Sequence, residues 1–177
     1  MCFIDRIERN IYEYLFFRQY KCGIKDYTFL TNAYTFLPKI AEVAKNRSAR
    51  IIVSLDSGCK ETFQKIKNSD KFDDVVSNIV EYAKPNIEII FKYIILKGIN
   101  DNFDELKKFC NTIINVINRA GNQGGFVAMI DIDYRDILKP NYVMPQEHKE
   151  LIEYLLEWGK NKNLDVVMQD HIKNLYF

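Results

Sequence analysis

Histidine is scarce in this sequence: among 177 residues only His148 and His171 are present. A self-contained histidine metal centre needs more ligands than that. Cysteine is little better supplied. Cys2, Cys22, Cys59 and Cys110 lie far apart, and no pair has the knuckle spacing of a metal site. The chain is not a small secreted disulfide scaffold either, so the four read as reduced thiols in buried or incidental positions. An excess of charge is also missing. The net charge of +1 offers no electrostatic case for nucleic acid or an anionic membrane. No apolar run approaches the roughly 18 residues of a membrane span. Met1-Cys2-Phe3-Ile4-Asp5-Arg6 places acid and base where a signal peptide needs a continuous apolar stretch, so the expected compartment is the cytoplasm. There is no Gly-x-Ser-x-Gly elbow and no Walker lysine loop. The glycine-rich connector from Gly121 to Gly125 lacks the spacing of a phosphate-binding fingerprint and reads as a loop. Two distant histidines make a Ser-His-Asp arrangement a weak reading.

What remains is an ordinary globular balance, 47% hydrophobic and 28% charged, of a length that suits one domain. The pattern alternates between two periods. Residues 2–18 carry Ile4, Ile7, Ile11, Tyr14 and Leu15 at helical spacing, with Gly23 beyond as an exit. Short β-branched or aromatic runs then predict strands at 27–31, 50–55, 87–96, 126–132 and 164–168. Between them lie helical stripes. One is Phe36, Leu37, Ile40, Ala41 and Ala44, with Thr35 as a cap and Pro38 in its first turn. A short segment covers 61–67. A clearer one, 71–83, shows Phe72, Val75, Val76, Ile79 and Val80 on one face and stops at Pro85. The next follows the cap cluster Gly98 to Asn102 and carries Phe103, Leu106, Cys110, Ile113 and Ile117. Pro145 opens the last at its first position, with Leu151, Ile152, Leu155, Leu156 and Trp158 inward. A strand, 164–168, closes the chain.

Strict alternation with helix-length connections predicts an α/β fold of parallel strands and right-handed crossovers, an open sheet or half-barrel. The run 87–96 is nearly all apolar, as for a strand buried on both faces. Its exception, Lys92, either packs its stem and reaches water or points its charge into a polar interior. Parallel topology gathers the strand carboxyl ends on one rim, where such folds bind ligands. That rim carries Thr31 and Asn32, Ser54 and Asp56, Lys97 to Asn100, and Asp131 and Asp133, the last two expected on one face. Hydroxyls, an amide and carboxylates suit hydrogen bonds to a polar small molecule such as a nucleoside. Solvated loop starts and helix caps account for each position singly. A paired-carboxylate hydrolase using Asp56 with Asp131 or Asp133 is a further reading.

Several of these stretches occur together in a known family. Thr31-Asn32-Ala33, Val53-Ser54-Leu55-Asp56-Ser57-Gly58, Lys65-Ile66-Lys67 and Phe91 to Asp101 resemble, in order, the middle of radical S-adenosylmethionine (radical SAM) domains. The resemblance spans roughly residues 27–135. It implies a partial TIM-type (β/α) half-barrel with S-adenosylmethionine across the strand carboxyl ends. Thr31 and Asn32 would lie on the family's third strand, and Ser54 and Asp56 on the fourth, facing ribose and methionine. Lys67 would meet the methionine carboxylate, and Asp131 would lie near the adenine. The family's Cys-x3-Cys-x2-Cys loop and its Gly-Gly-Glu segment have no counterpart in this sequence. Three thiolates hold such a [4Fe–4S] cluster, so the cluster would have to come from sequence outside this chain. The expectation is therefore a truncated or split radical SAM-like domain. It would need a cluster-bearing N-terminal half or self-association through its open sheet edge. The rivals are a non-catalytic α/β interaction module and an unrelated carboxylate hydrolase.

Overall fold

In the computed structural model, residues 26–45, 48–84, 87–121 and 125–176 are described. The helix expected at 2–18, Cys2, Cys22 and Gly23 lie outside them. The chain runs β1 (Asp26–Thr31), α1 (Pro38–Lys45), β2 (Ser48–Ser54), α2 (Lys60–Lys67) and α3 (Phe72–Ala83). It continues β3 (Glu88–Ile95), α4 (Phe103–Ala120), β4 (Phe126–Ile132), α5 (Tyr134–Ile137), α6 (Gln146–Lys162), β5 (Asp165–Met168) and α7 (Asp170–Tyr176). The five strands form one parallel sheet in the order β1-β2-β3-β4-β5.

Sequential order and parallel direction together set the layering. Each crossover of constant hand deposits its helices on the same side of the sheet. Among the described residues the other side is left largely open, as in a piece of a barrel. Burial follows that rule along β3 except at Ile90, which is buried on the other side. Ile89, Phe91, Tyr93 and Ile95 are fully buried on the helix side, where Tyr93 packs on Phe109 with ring centroids 4.7 Å apart. Ile90, Lys92 and Ile94 point the other way. Register carries the open face across the sheet: Leu30 pairs with Ile52, Ile52 with Ile90, Lys92 with Met129, and Met129 with Val167. Leu30 is 66% exposed there.

Local chemistry shapes the joints. Asn102 caps α4 by accepting a bond from the Glu105 N–H at 3.1 Å. Gly121, at a φ of 74°, ends it in the left-handed conformation that suits glycine. Gly58 is required by closeness: a Cβ there would lie 2.0 Å from the Lys108 carbonyl carbon on α4. Thr112 on α4 donates to the Gly58 carbonyl at 3.0 Å across the same contact.

Three expectations are corrected. The chain does not close on its fifth strand, since α7 follows it and buries Ile172. Seven residues give too short a stripe to stand out. Pro145 precedes α6 as its cap rather than opening it, because its ψ of 147° is extended. Thr35 does not cap α1, which begins at Pro38; its carbonyl instead accepts a bond from the Tyr82 hydroxyl at 3.4 Å. Asp133, one residue beyond β4, caps α5 by accepting from the Arg135 N–H at 3.0 Å, while its own N–H donates to the Ile95 carbonyl at 3.2 Å.

Candidate functional site

The rim is built where β2, β3 and β4 end. After Ser54 the chain turns sharply. Asp56 adopts a φ of 57°, a conformation in which a short polar side chain is tolerated. Its N–H donates to the Lys92 carbonyl at 3.0 Å, and its Oδ1 accepts from the Ile94 N–H at 2.9 Å. The carboxylate thus stands in for the next rung of a ladder whose strand has already ended. Its Oδ2 pairs with the Lys67 ammonium from α2. Asp56 is 2% exposed, so this pair is largely withdrawn from water and works through geometry and added hydrogen bonds.

Asn100 completes the joint. Its amide Nδ2 donates to the Asp56 carbonyl at 2.7 Å and the Ile94 carbonyl at 2.9 Å. Its Oδ1 accepts from the Leu96 N–H at 2.7 Å. Those three contacts settle which end of the amide is which. The Tyr93 hydroxyl donates to the Asn100 carbonyl at 2.5 Å, and burial raises the phenol's pKa above its usual value. One buried amide therefore ties the exits of β2 and β3 together. Sequence reasoning placed Asn100 in a turn cluster but did not single it out. Its position directly after a strand with a glycine nearby was the signal.

Thr31 and Asn32 fold their own turn. Thr31 Oγ1 accepts from the Ala33 N–H at 2.9 Å, and Asn32 Oδ1 from the Tyr34 N–H at 3.1 Å. Ala33, the next residue, has a φ of 56° and is braced by the Asn78 amide, which donates to its carbonyl at 2.9 Å. Ser54, half-buried, stands beside Lys92 in register.

Lys92 takes the polar-interior alternative. Its ammonium lies 2.7 Å from Asp131 Oδ2 on the open face. Asp131 Oδ1 accepts from the Ile132 N–H at 2.8 Å and lies 2.8 Å from His171 Nε2, brought in by α7. Asp133 is separately engaged. Bonds from the Arg135 side chain hold its carboxyl below the usual carboxylate range. Each rim carboxylate thus has its own partners, and no hydrogen bond joins Asp56, Asp131 and Asp133 among the described residues. Lys92 and His171 went unassigned in the sequence because their partnership exists only across three elements.

The two described cysteines do not suit a cluster. Cys110 is buried on α4, and burial pushes its thiol up to about 12. Cys59 lies against Thr62 and Glu105 at 3.4 and 3.8 Å. No group of three His, Cys, Asp or Glu that could hold a metal occurs among the described residues. His148 is 4% exposed with no hydrogen-bond partner on Nδ1, and burial lowers its pKa. No helix among the described residues is long and apolar enough to cross a membrane.

No protein-family model and no curated protein sequence matches the chain. Solved structures do. A radical SAM methyltransferase from Sphaerobacter thermophilus is similar at a TM-score of 0.54 and 11% identity, over 80% of this chain and 39% of that one. Streptococcus suis SuiB bound to S-adenosylmethionine is similar at 0.53 and 11%, over 80% and 31%. SuiB bound to its precursor peptide SuiA is similar at 0.53 and 10%, over the same shares. The chain therefore spans between 31% and 39% of the length of these proteins. At such identity the likeness is one of fold: these five strands and their helices have a radical SAM-like arrangement.

Proposed function

We propose that this chain contributes S-adenosylmethionine-binding surface to a radical SAM-type domain whose iron–sulfur cluster comes from sequence outside it or from a partner chain. The observation that carries the reading is the half-barrel itself: strands in sequential order, an open inner face and a polar carboxyl rim. In this reading the cofactor lies across the rim. The Ser54 hydroxyl bonds its ribose or methionine part, with Thr31 and Asn32 at the flank. Asp56 fixes the loop and holds Lys67, whose remaining N–H donors meet the methionine carboxylate as charge-assisted bonds. Asp131 lies toward the adenine. No step through the cluster is assigned to these residues, since the described cysteines do not fit it. The open face is where a substrate would lie, and a peptide is one candidate class, given what SuiB binds.

The test is calorimetry with S-adenosylmethionine on the folded chain. Binding is expected, weakened by Ser54→Ala at unchanged thermal stability. Asp56→Asn is expected to lower both affinity and melting temperature, because the loop itself depends on it. A folded chain giving no binding overturns the reading. Anaerobic reconstitution is expected to leave the chain alone without a [4Fe–4S] cluster, and a stable cluster on it overturns that part.

A second reading has its own observation. Leu30 and Val167 expose apolar surface on the same open face, which suits association with a second copy or another chain without catalysis. Concentration-dependent dimers without cofactor binding would favour it.

A further inference from the structure

Among the described residues, two buried side-chain polar atoms lack a hydrogen-bond partner, the Tyr142 hydroxyl and His148 Nδ1. Buried polar groups are rarely left so, and both of these fall between the end of β4 and the first turn of α6. His148 stands where an apolar residue belongs. With Leu151, Ile152 and Leu155 it forms the buried stripe of α6. The charged groups around its imidazole are Lys97 and Asp101 between β3 and α4, Asp136 on α5, and Glu147 on α6 itself. None of the three acids holds Nδ1, and Asp136 is already paired with Lys139. Burial first, then Lys97 and the positive end of the α6 dipole, disfavour a charged ring. Together they outweigh the acids, so the ring is held neutral.

The connection from Asp133 to Pro145 hangs between two pins. At its near end the Asp133 N–H donates to the Ile95 carbonyl at 3.2 Å. At its far end Met144 is buried, and the His148 N–H donates to the Pro145 carbonyl at 3.1 Å. Between the pins Tyr134, Leu138 and Val143 are exposed. A segment that buries so little apolar surface opens at lower cost than the sheet. We propose that neutral His148 is a latch holding the β4–α6 connection on the core, and that a proton from solvent on its imidazole releases that connection. The imidazolium has no acceptor on Nδ1 within the apolar stripe, so it moves to water and takes the first turn of α6 with it. A histidine whose folded pKa is depressed binds its proton more readily once the latch opens. The closed form is therefore fully favoured above the ordinary histidine pKa, and that advantage is lost as pH falls below it toward the depressed value. The device does not depend on S-adenosylmethionine binding, and either can fail alone.

Imidazole NMR of the whole chain, with His171→Gln to assign the two signals, is expected to show His148 titrating below the ordinary histidine value. Titration at or above that value overturns the proposal. Hydrogen exchange, corrected for the intrinsic effect of pH, then tests the release. The amides of Leu138, Tyr142 and Lys149 donate within the connection and the first turn of α6. Their protection is expected to fall between pH about 7.5 and about 5.5, a window that spans the ordinary histidine pKa of about 6.5. Below that pKa the loss approaches about tenfold per pH unit, while β3 keeps its protection. His148→Leu completes the apolar stripe, and His148→Gln leaves a polar side chain that cannot charge. Each is expected to remove the pH-dependent loss, and the second serves if the first packs badly. Constant protection in the wild-type chain overturns the latch. So does a loss that both variants retain, or one shared equally by β3.

Discussion

The two faces of this sheet are made from the same strands and behave as different materials. On the helix side, alternate residues of β3 lie in a dry, close-packed layer with Phe109, Leu106 and Ile79. On the open side, the intervening residues are Ile90, Lys92 and Ile94, and the rim there carries ion pairs and hydroxyls. The contrast separates what holds the molecule together from what is available to a ligand. Stability resides in one set of side chains and chemistry in the set one residue away.

The comparison breaks most visibly at Phe91. It is fully buried and stacked near Phe126 with centroids 6.3 Å apart. Phe91→Ala is expected to cost about 3–5 kcal/mol in urea unfolding, through lost transfer energy and the cavity left behind. A much smaller loss would show that the helix side is loosely packed. Next comes the seam between the faces. Asn100→Ala removes a partner from the Leu96 N–H and from the Asp56 and Ile94 carbonyls. Leaving such buried groups unpaired is expected to cost about 1–3 kcal/mol. Amide hydrogen exchange at Leu96 should accelerate with it, and unchanged exchange would show that the clamp is not what protects that group. The smallest effect belongs to the open face. Leu30→Ser should shift stability by no more than about 0.5 kcal/mol in the same unfolding experiment. A larger loss would mean that something covers this face in solution.

The dry face was the legible one. Continuous apolar character in Ile87 to Leu96 and helical stripes such as Phe72 to Val80 reflect burial, which composition and period report directly. Parallel strands then followed from alternation, which left an open sheet and a half-barrel as equal alternatives; the strand order is a finding of the structure. The rim was legible as a set of polar residues at strand ends, and Asp56 among them. Its structural duty was not, because Lys67 and Ile94 are remote in sequence and a carboxylate that finishes a ladder leaves no local pattern. His171 was invisible for a related reason. Its short helix carries no long stripe, and its partner Asp131 is 40 residues earlier. Lys92 stood out only as a charge inside an apolar run.

Because the strand order is monotonic, each of the five described strands pairs only with its neighbours along the chain. A matrix of its strand contacts would be a narrow band beside the diagonal. Such a chain can assemble vectorially, each βα unit docking on the one already made as it leaves the ribosome, without waiting for a distant strand. The same bandedness makes the architecture severable. A break between units would sever one strand pairing and leave the other pairings within their own fragments. Two halves expressed separately would then have a single edge to find in each other.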